Sequence, residues 1–468
     1  MIALSLAEIA EIVGGQPHDI PDPAAVVGGP VVIDSRQVEQ GSLFAAFAGE
    51  RVDGHDYAQR AVEAGAAAVL AARPVGVPAI VVDDVVAALG ALARAVVGRL
   101  GTTVVALTGS AGKTSTKDLI AQLLERKGPT VYPAGNLNNE IGLPLTALRA
   151  TEETRHLVLE MGARYIGDIR YLTGLVPPRI GLVLNVGTAH IGEFGGREQI
   201  ARAKGEMVES LPEDGVAVLN ADDPFVRAMT ARTKARVLLF GEAAEADVRG
   251  ENVRLTDDGR PAFTLHTPTG CSDVTMRLYG EHHVSNALAA AAVAHELGLS
   301  ADEIAEGLSE AGTLSRWRME VTERPDGVTI VNDAYNANPE SMKAALRALA
   351  AMGRGRRTWA VLGPMAELGD ASLAEHDAVG RLAVRLNVSK LVAVGGKEAS
   401  WLQLGAYNEG SWGEESVHVS DAQAAVDLLR SELRPGDVVL VKASRSVGLE
   451  QVAMALLENA SEGEVAGR

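Results

Sequence analysis

The chain has 468 residues, 47% of them hydrophobic, with 61 acidic against 43 basic side chains and a net charge of −18. At ~100–200 residues per domain the length holds about three domains, and the acidic balance excludes a nucleic-acid backbone as partner, so an anionic ligand needs a local basic pocket. Cys271 is the sole cysteine, the start lacks a basic flank and a long apolar region, and no apolar run reaches the ~18–20 residues of a membrane span, so the reading expects a cytoplasmic protein without disulfides.

In chain order, strand-like apolar runs alternate with amphipathic stretches, the rhythm of parallel α/β sheets. Up to residue 100 the pattern predicts short strands at 31–33 and 79–82 and a helix around 57–64. A second block, 101–314, predicts strands at 104–107, 157–159, 181–184, 216–219 and 237–240, then a long Ala-rich helix over 284–297. After a polar break at 312–315 a third block, 315–468, repeats the alternation with strands at 328–331, 358–362, 391–394 and 438–441. No Gly-x-Gly-x-x-Gly follows its strands, which argues against a dinucleotide.

The chemistry starts where the 104–107 strand runs into Thr108-Gly109-Ser110-Ala111-Gly112-Lys113-Thr114-Ser115. Glycines let backbone amides face phosphates, the helix N-terminus favours their charge, Lys113 reaches the β/γ-phosphates, and the Thr114 hydroxyl suits Mg²⁺. Only Ser110 and Ala111 separate Gly109 from Gly112, two residues fewer than in the common loop, so this is a variant class.

Other candidates lie near strand ends. Glu160 follows the 157–159 strand, where a carboxylate faces the ligand crevice or else solvent. His190 follows the next strand and reads as structural or as a metal or catalytic group. Lys204, early in a helix, reads on its own as a solvated lysine. Asn332 and Asp333 open an Asn- and Pro-rich turn; Asp333 is placed to accept from ribose hydroxyls. Arg318 and Lys442 read either as phosphate ligands or as surface charge, and Asp34-Ser35-Arg36 as a polar loop near an aromatic, Phe44.

Together these segments resemble the muramyl ligase family of ATP-dependent amide-bond-forming enzymes, over essentially the whole chain. The short loop from Thr108 to Ser115 is similar to the family's phosphate loop, and Glu160, His190 and Lys204 fall at its metal-site positions. Gly280-Glu-His-His-Val-Ser-Asn286 resembles its adenine-side helix motif, with His283 where asparagine is usual. Arg318 matches the arginine opening the third domain, with Trp317 where glycine is usual. The segments at 136–142, 332–339, 365–369 with His376, and 441–446 resemble the branch that adds D-alanyl-D-alanine to UDP-N-acetylmuramoyl tripeptide.

The resemblance implies three α/β domains: a small UDP-binding domain (1–100), a central P-loop mononucleotide-binding domain (101–314) and a Rossmann-like domain (315–468). It implies ATP, two Mg²⁺ held by Thr114 and Glu160 and by His190 and Lys204, and carbamylation of Lys204. Asn286, Arg318, Asn332 and Asp333 are expected to embrace ATP from the far side, Asn138 and Asn139 to orient the acceptor, and Ser35 and Arg36 to line the uridine-diphosphate pocket. Closure of the third domain belongs to the expected cycle, and a monomer is expected. The alternatives are the preceding muramyl ligase, a folylpolyglutamate synthase, or a non-catalytic ATP-binding regulator.

Overall fold

The computed structural model describes residues 1–49, 52–187 and 194–462. Its α/β elements gather around three main sheets, in chain order. The first has five strands in the order Gln16–His18, Ala79–Val81, Ala68–Ala71, Leu43–Ala45 and Val31–Val32, all pairs parallel except that of Gln16–His18. The expected helix around 57–64 is a 3₁₀ turn, Gly54–Tyr57, followed by Ala58–Glu63. The Asp53 side chain starts that turn by accepting from the His55 amide at 3.0 Å, a bond that suits a turn better than a helix interior.

The helix Val85–Arg99, capped by Asp84, closes this domain and packs onto the helices Gly142–Ala147 and Asp168–Leu175. Leu89, Leu92 and Val96 share one apolar core with Leu143, Leu159 and Leu172. Each such side chain contributes ~1.5–3 kcal/mol on leaving water, so the first two domains are joined by hydrophobic burial.

The central sheet has nine strands. Thr103–Thr108 lies between His156–Glu160 and Ile180–Val183, parallel to both. Its run Val104 to Leu107 is buried, as a strand covered on both faces requires. The chain leaves Thr103–Thr108 toward one side and returns on the other, so the crevice at its C-terminal end is a topological switch point, where ligands bind in open α/β sheets. Beyond Arg236–Gly241 three further strands, Val248–Leu255, Pro261–Thr267 and Gly270–Thr275, extend the sheet as antiparallel hairpins that the sequence rhythm does not announce. The Ala-rich helix runs His282–Glu296 and lies against the phosphate-loop helix, Lys113–Glu125.

The third sheet has six strands in the order Glu320–Glu323, Thr329–Asn332, Val438–Lys442, Thr358–Leu362, Lys390–Val394 and Ser416–Val419. Only the first pair is antiparallel. Asn338 caps the helix Pro339–Met352, with proline at its first turn, where the missing N–H costs nothing. No helix among the described residues is long and apolar enough to cross a membrane.

Candidate active site

The phosphate loop is built by four constraints. Gly112 sits at φ +81, and a Cβ there would lie 2.5 Å from Asn286 Oδ1; only glycine meets both the left-handed backbone and the close approach. Asn185 holds the loop from the neighbouring strand end: its Oδ1 accepts from the amides of Ser110 (3.0 Å) and Ala111 (2.9 Å), and its Nδ2 donates to Ala111 O at 3.1 Å. Ser110 Oγ accepts from the Gly187 amide at 2.9 Å. Lys113 Nζ donates to Gly109 O at 2.8 Å. Ser115 follows within the first turn of the helix.

At the mouth of the loop stands a chain of polar contacts. Thr114 Oγ1 donates to Glu160 Oε2 at 2.9 Å, Asn138 Nδ2 donates to Glu160 Oε1 at 2.8 Å, and Arg318 Nη2 donates to Thr114 Oγ1 at 3.3 Å. Glu160 is the last residue of its strand and is buried, so the solvent reading of this residue fails: the crevice, not the surface, receives strand-end side chains. Arg318 also stacks on the Tyr335 ring, 4.3 Å from its centroid. Tyr335 Oη in turn meets Asn136 Oδ1 in the loop that carries Asn138. The third domain is therefore docked on the central one through Arg318 and Tyr335, with Arg164 and Glu367 paired at 3.2 Å on the rim.

Burial pushes the Lys113 ammonium below its usual range; Glu160 opposes this and Arg318 adds to it. Lys204 corrects the reading of a solvated lysine. It is 3% exposed, because its helix, Arg197–Glu209, packs that face against Thr103–Thr108 and Ile180–Val183. Burial, and then the nearby Lys113 charge, disfavour its ammonium strongly. His190 lies outside the described residues.

Thr114 and Glu160 offer adjacent oxygen donors, the kind of ligand Mg²⁺ takes alongside phosphate oxygens. Among the described residues no group of three or more His, Cys, Asp or Glu is arranged to hold a metal.

Asn286, expected on the far side, is buried against Gly112 of the phosphate loop itself; on the far side Asn332 is buried, and its Oδ1 accepts from the Ala334 amide at 3.2 Å. Asp333 already serves the fold: Oδ1 accepts from the Met319 amide at 3.1 Å, and Oδ2 pairs with Lys442 Nζ at 2.7 Å. Lys442 is 1% exposed, so the surface-charge alternative for it is ruled out. His283 is buried with both ring nitrogens lacking a hydrogen-bond partner. Its neighbour His282, stacked at 4.3 Å, is pushed down to about 4 by burial, with Asp333 opposing.

The remaining candidates are more local. Asn139 Oδ1 accepts from the Gly142 amide at 2.9 Å, closing a turn at the head of the next helix. Ser35 is buried, while Arg36 extends into solvent and grips Asp34 through Nε (2.9 Å) and Nη2 (2.7 Å). Those bonds hold the Asp34 carboxyl at about 2. Neither Ser35 nor Arg36 makes a described hydrogen bond to the phosphate loop. Asn185 is a contact-making residue that sequence reasoning did not select, Tyr335 entered only within the 332–339 segment, and Lys442 was left open between phosphate ligand and surface charge. For Asn185 a signal was present: a polar residue at the end of the strand neighbouring the phosphate loop.

Three family models match in succession: the Mur ligase catalytic domain over residues 30–97, the Mur ligase middle domain over 107–294, and the Mur ligase glutamate ligase domain over 317–445. The chain is 51% identical to UDP-N-acetylmuramoyl-tripeptide--D-alanyl-D-alanine ligase of Mycobacterium tuberculosis, over 99% of this chain and 100% of that one. Among solved structures it is similar to MurF from Acinetobacter baumannii, with TM-score 0.86 and 33% identity over 97% of this chain and 99% of that one. It is also similar to the MurF ligase from Thermotoga maritima in complex with ADP, with TM-score 0.80 and 32% identity over 93% and 99%. A phosphate loop of the short class, set at the switch point and closed over by a third domain, thus occurs in a chain matched from end to end: this protein belongs to the Mur ligase family.

Proposed function

We propose that the protein is an ATP-dependent ligase that joins D-alanyl-D-alanine to UDP-N-acetylmuramoyl tripeptide. The observation that carries the chemistry is the contact chain Arg318–Thr114–Glu160–Asn138, drawn from two domains around one phosphate loop. The substrates follow from the names of the half-identical relative and the similar structures. The preceding muramyl ligase, a folylpolyglutamate synthase and a non-catalytic regulator are not favoured by these.

An oxygen of the tripeptide's terminal carboxylate attacks the γ-phosphorus of ATP, and ADP leaves with the bond's electrons. The D-alanyl-D-alanine amine then attacks the acyl carbon, loses a proton to solvent, and phosphate departs. The protein's task is positioning and neutralisation of charge. Lys113 and the loop amides of Gly109 to Ser115 take the β/γ-phosphates, and Arg318 reaches the same place from the third domain. Asn138 orients the acceptor with Glu160 as its partner. Asn286, Asn332 and Asp333 face the nucleoside side, and Asp333 can accept from ribose through lone pairs that Met319 and Lys442 leave over. Ser35 and Arg36 belong to the uridine-diphosphate pocket and Asn139 to the acceptor loop.

Thr114 and Glu160 would hold Mg²⁺, which when bound screens the carboxylate from the phosphate it approaches. His190 and Lys204 are the second pair of ligands in this reading, provided Lys204 is carbamylated. Burial supports the modification, since the neutral amine is the form that adds CO₂. The resulting anion would turn repulsion from Lys113 into attraction. Lys204→Ala should lose turnover and regain part of it with a small carboxylic acid such as propionate; indifference to the acid speaks against a carbamate ligand.

The test of the whole reading is phosphate release from ATP with UDP-N-acetylmuramoyl tripeptide, with and without D-alanyl-D-alanine. Release that depends on the dipeptide, with a pentapeptide product by mass, is expected. Release that ignores the dipeptide rejects the assignment.

A further inference from the structure

Lys117 lies one helical turn beyond Lys113 and is 1% exposed. A lysine this deep is rare unless every donor is used, and this one uses all three. Its ammonium donates to Pro133 O at 2.9 Å, Gly135 O at 3.5 Å and Ser315 Oγ at 3.3 Å, and forms an ion pair with Asp118 at 2.7 Å. The three hydrogen-bond partners come from two different working parts. Pro133 and Gly135 form the root of the loop that carries Asn136 and Asn138. Ser315 sits in the linker to the third domain, three residues before Arg318.

The same helix grips that linker twice more. Asp118 Oδ2 accepts from the Ser315 amide at 3.1 Å. Gln122 exchanges two bonds with Gly312, Nε2 to O at 3.1 Å and N to Oε1 at 3.0 Å. Beyond the grip the linker bends through Trp317 at φ +59 and Met319 at φ +50, left-handed positions that bulky residues avoid. Those two positions bracket Arg318 and turn its side chain back toward Thr114 at the helix's own N-terminus. The loop returns likewise, since Asn138 donates to Glu160, the partner of Thr114. Two segments distant in sequence thus leave one ammonium and meet again at one carboxylate–hydroxyl pair.

We propose that Lys117 is a positioning residue: its ammonium sets the acceptor loop and the third-domain linker in register, so that Asn138 and Arg318 reach the phosphate-loop mouth together. Its ammonium is taken up entirely by protein groups, so it acts through those two residues. The proposal rests on the ligase reading above, because a register of acceptor loop and arginine matters to a reaction that needs both at once. Its consequence is kinetic. Misplacing reacting groups by ~1 Å costs about a hundredfold in rate, while the loop amides that grip ATP stay where Gly112 and Asn185 hold them.

The test uses the full-length enzyme with Lys117→Met, which keeps the side chain's length and removes the ammonium, and with Ser315→Ala, which removes one of its acceptors. Dipeptide-dependent phosphate release should fall at least about tenfold in kcat for Lys117→Met and by a smaller factor for Ser315→Ala, with the ATP dissociation constant within about threefold of the parent. In the double variant Lys117→Met/Arg318→Lys the two losses should combine to less than their product. A lower melting temperature with unchanged kcat per folded enzyme, or losses that multiply, would overturn the proposal. If Lys117→Met does not fold, Ser315→Ala decides alone, and unchanged kcat there rejects it. Absence of dipeptide-dependent release from the parent enzyme would instead reject the ligase reading.

Discussion

Replacing Glu160 by glutamine alters one atom at the centre of the contact chain. The carboxylate accepts from the Thr114 hydroxyl at 2.9 Å through one oxygen and from the Asn138 amide at 2.8 Å through the other. A glutamine has one acceptor. With its NH₂ toward Asn138 two donors face each other; with its NH₂ toward Thr114 the hydroxyl, already receiving Arg318, accepts through its second lone pair and its proton loses the carboxylate. Either way one bond to a charged, buried group is lost, about 1.5–3 kcal/mol. The negative charge that opposes the desolvation of Lys113 goes with it. Withdrawing a fixed electrostatic partner from a reacting centre costs ~2.7–4 kcal/mol, or about 10²–10³ in rate. Glu160→Gln should therefore lower kcat for dipeptide-dependent phosphate release at saturating ATP by at least about a hundredfold. The melting temperature should move by no more than about 4 °C, since shape and packing are kept. A folded variant within threefold of the parent would refute the placement of this carboxylate at the reacting phosphate.

Gly112→Ala should abolish tight ATP binding, seen by calorimetry, because the new Cβ would stand 2.5 Å from Asn286 Oδ1 at φ +81; the double variant with Asn286→Ala should recover only part of it. His376 is fully buried, with Nε2 accepting from the Met365 amide at 2.9 Å and Nδ1 donating to Ser372 O at 2.6 Å. Burial lowers its pKa, so below ~6.5 the unfolded chain takes up a proton that the native state refuses. Stability is then lost as pH falls, by up to ~1.4 kcal/mol per unit. The melting-temperature drop from pH 7 to pH 5 should be smaller in His376→Gln than in the parent, and equal slopes would assign the acid sensitivity elsewhere.

The parallel strands were legible because fully buried strands are written as unbroken apolar runs, as from Val104 to Leu107. The hairpin strand Val248–Leu255 was not: it alternates Arg249, Glu251 and Arg254 with apolar residues and buries one face only, a pattern that reads equally as loop. The phosphate loop announces itself through local spacing, whereas Glu160 and Arg318 each stood between a ligand-binding and a surface reading until the family resemblance favoured the first. Lys117 remained hidden, and Lys442 undecided between two readings, for a physical reason. Whether a lysine is solvated or enclosed depends on which distant carbonyls and carboxylates fold around it. For Lys442 these are Asp333 and Asn336, more than a hundred residues away.

The two joints of the molecule differ in chemistry, and that difference decides which of them parts more easily. The N-terminal sheet is welded to the central one by Leu89, Leu92 and Val96, and parting them would wet a large apolar surface at ~25 cal/mol per Å². Near the phosphate loop the third domain rests on arginine, tyrosine, asparagine and glutamate contacts, each of which trades for water at about 0.5–1.5 kcal/mol, with a smaller apolar contact at Tyr279. Opening at the third-domain joint is therefore the less costly of the two, and a cycle that needs the phosphate loop uncovered would open there.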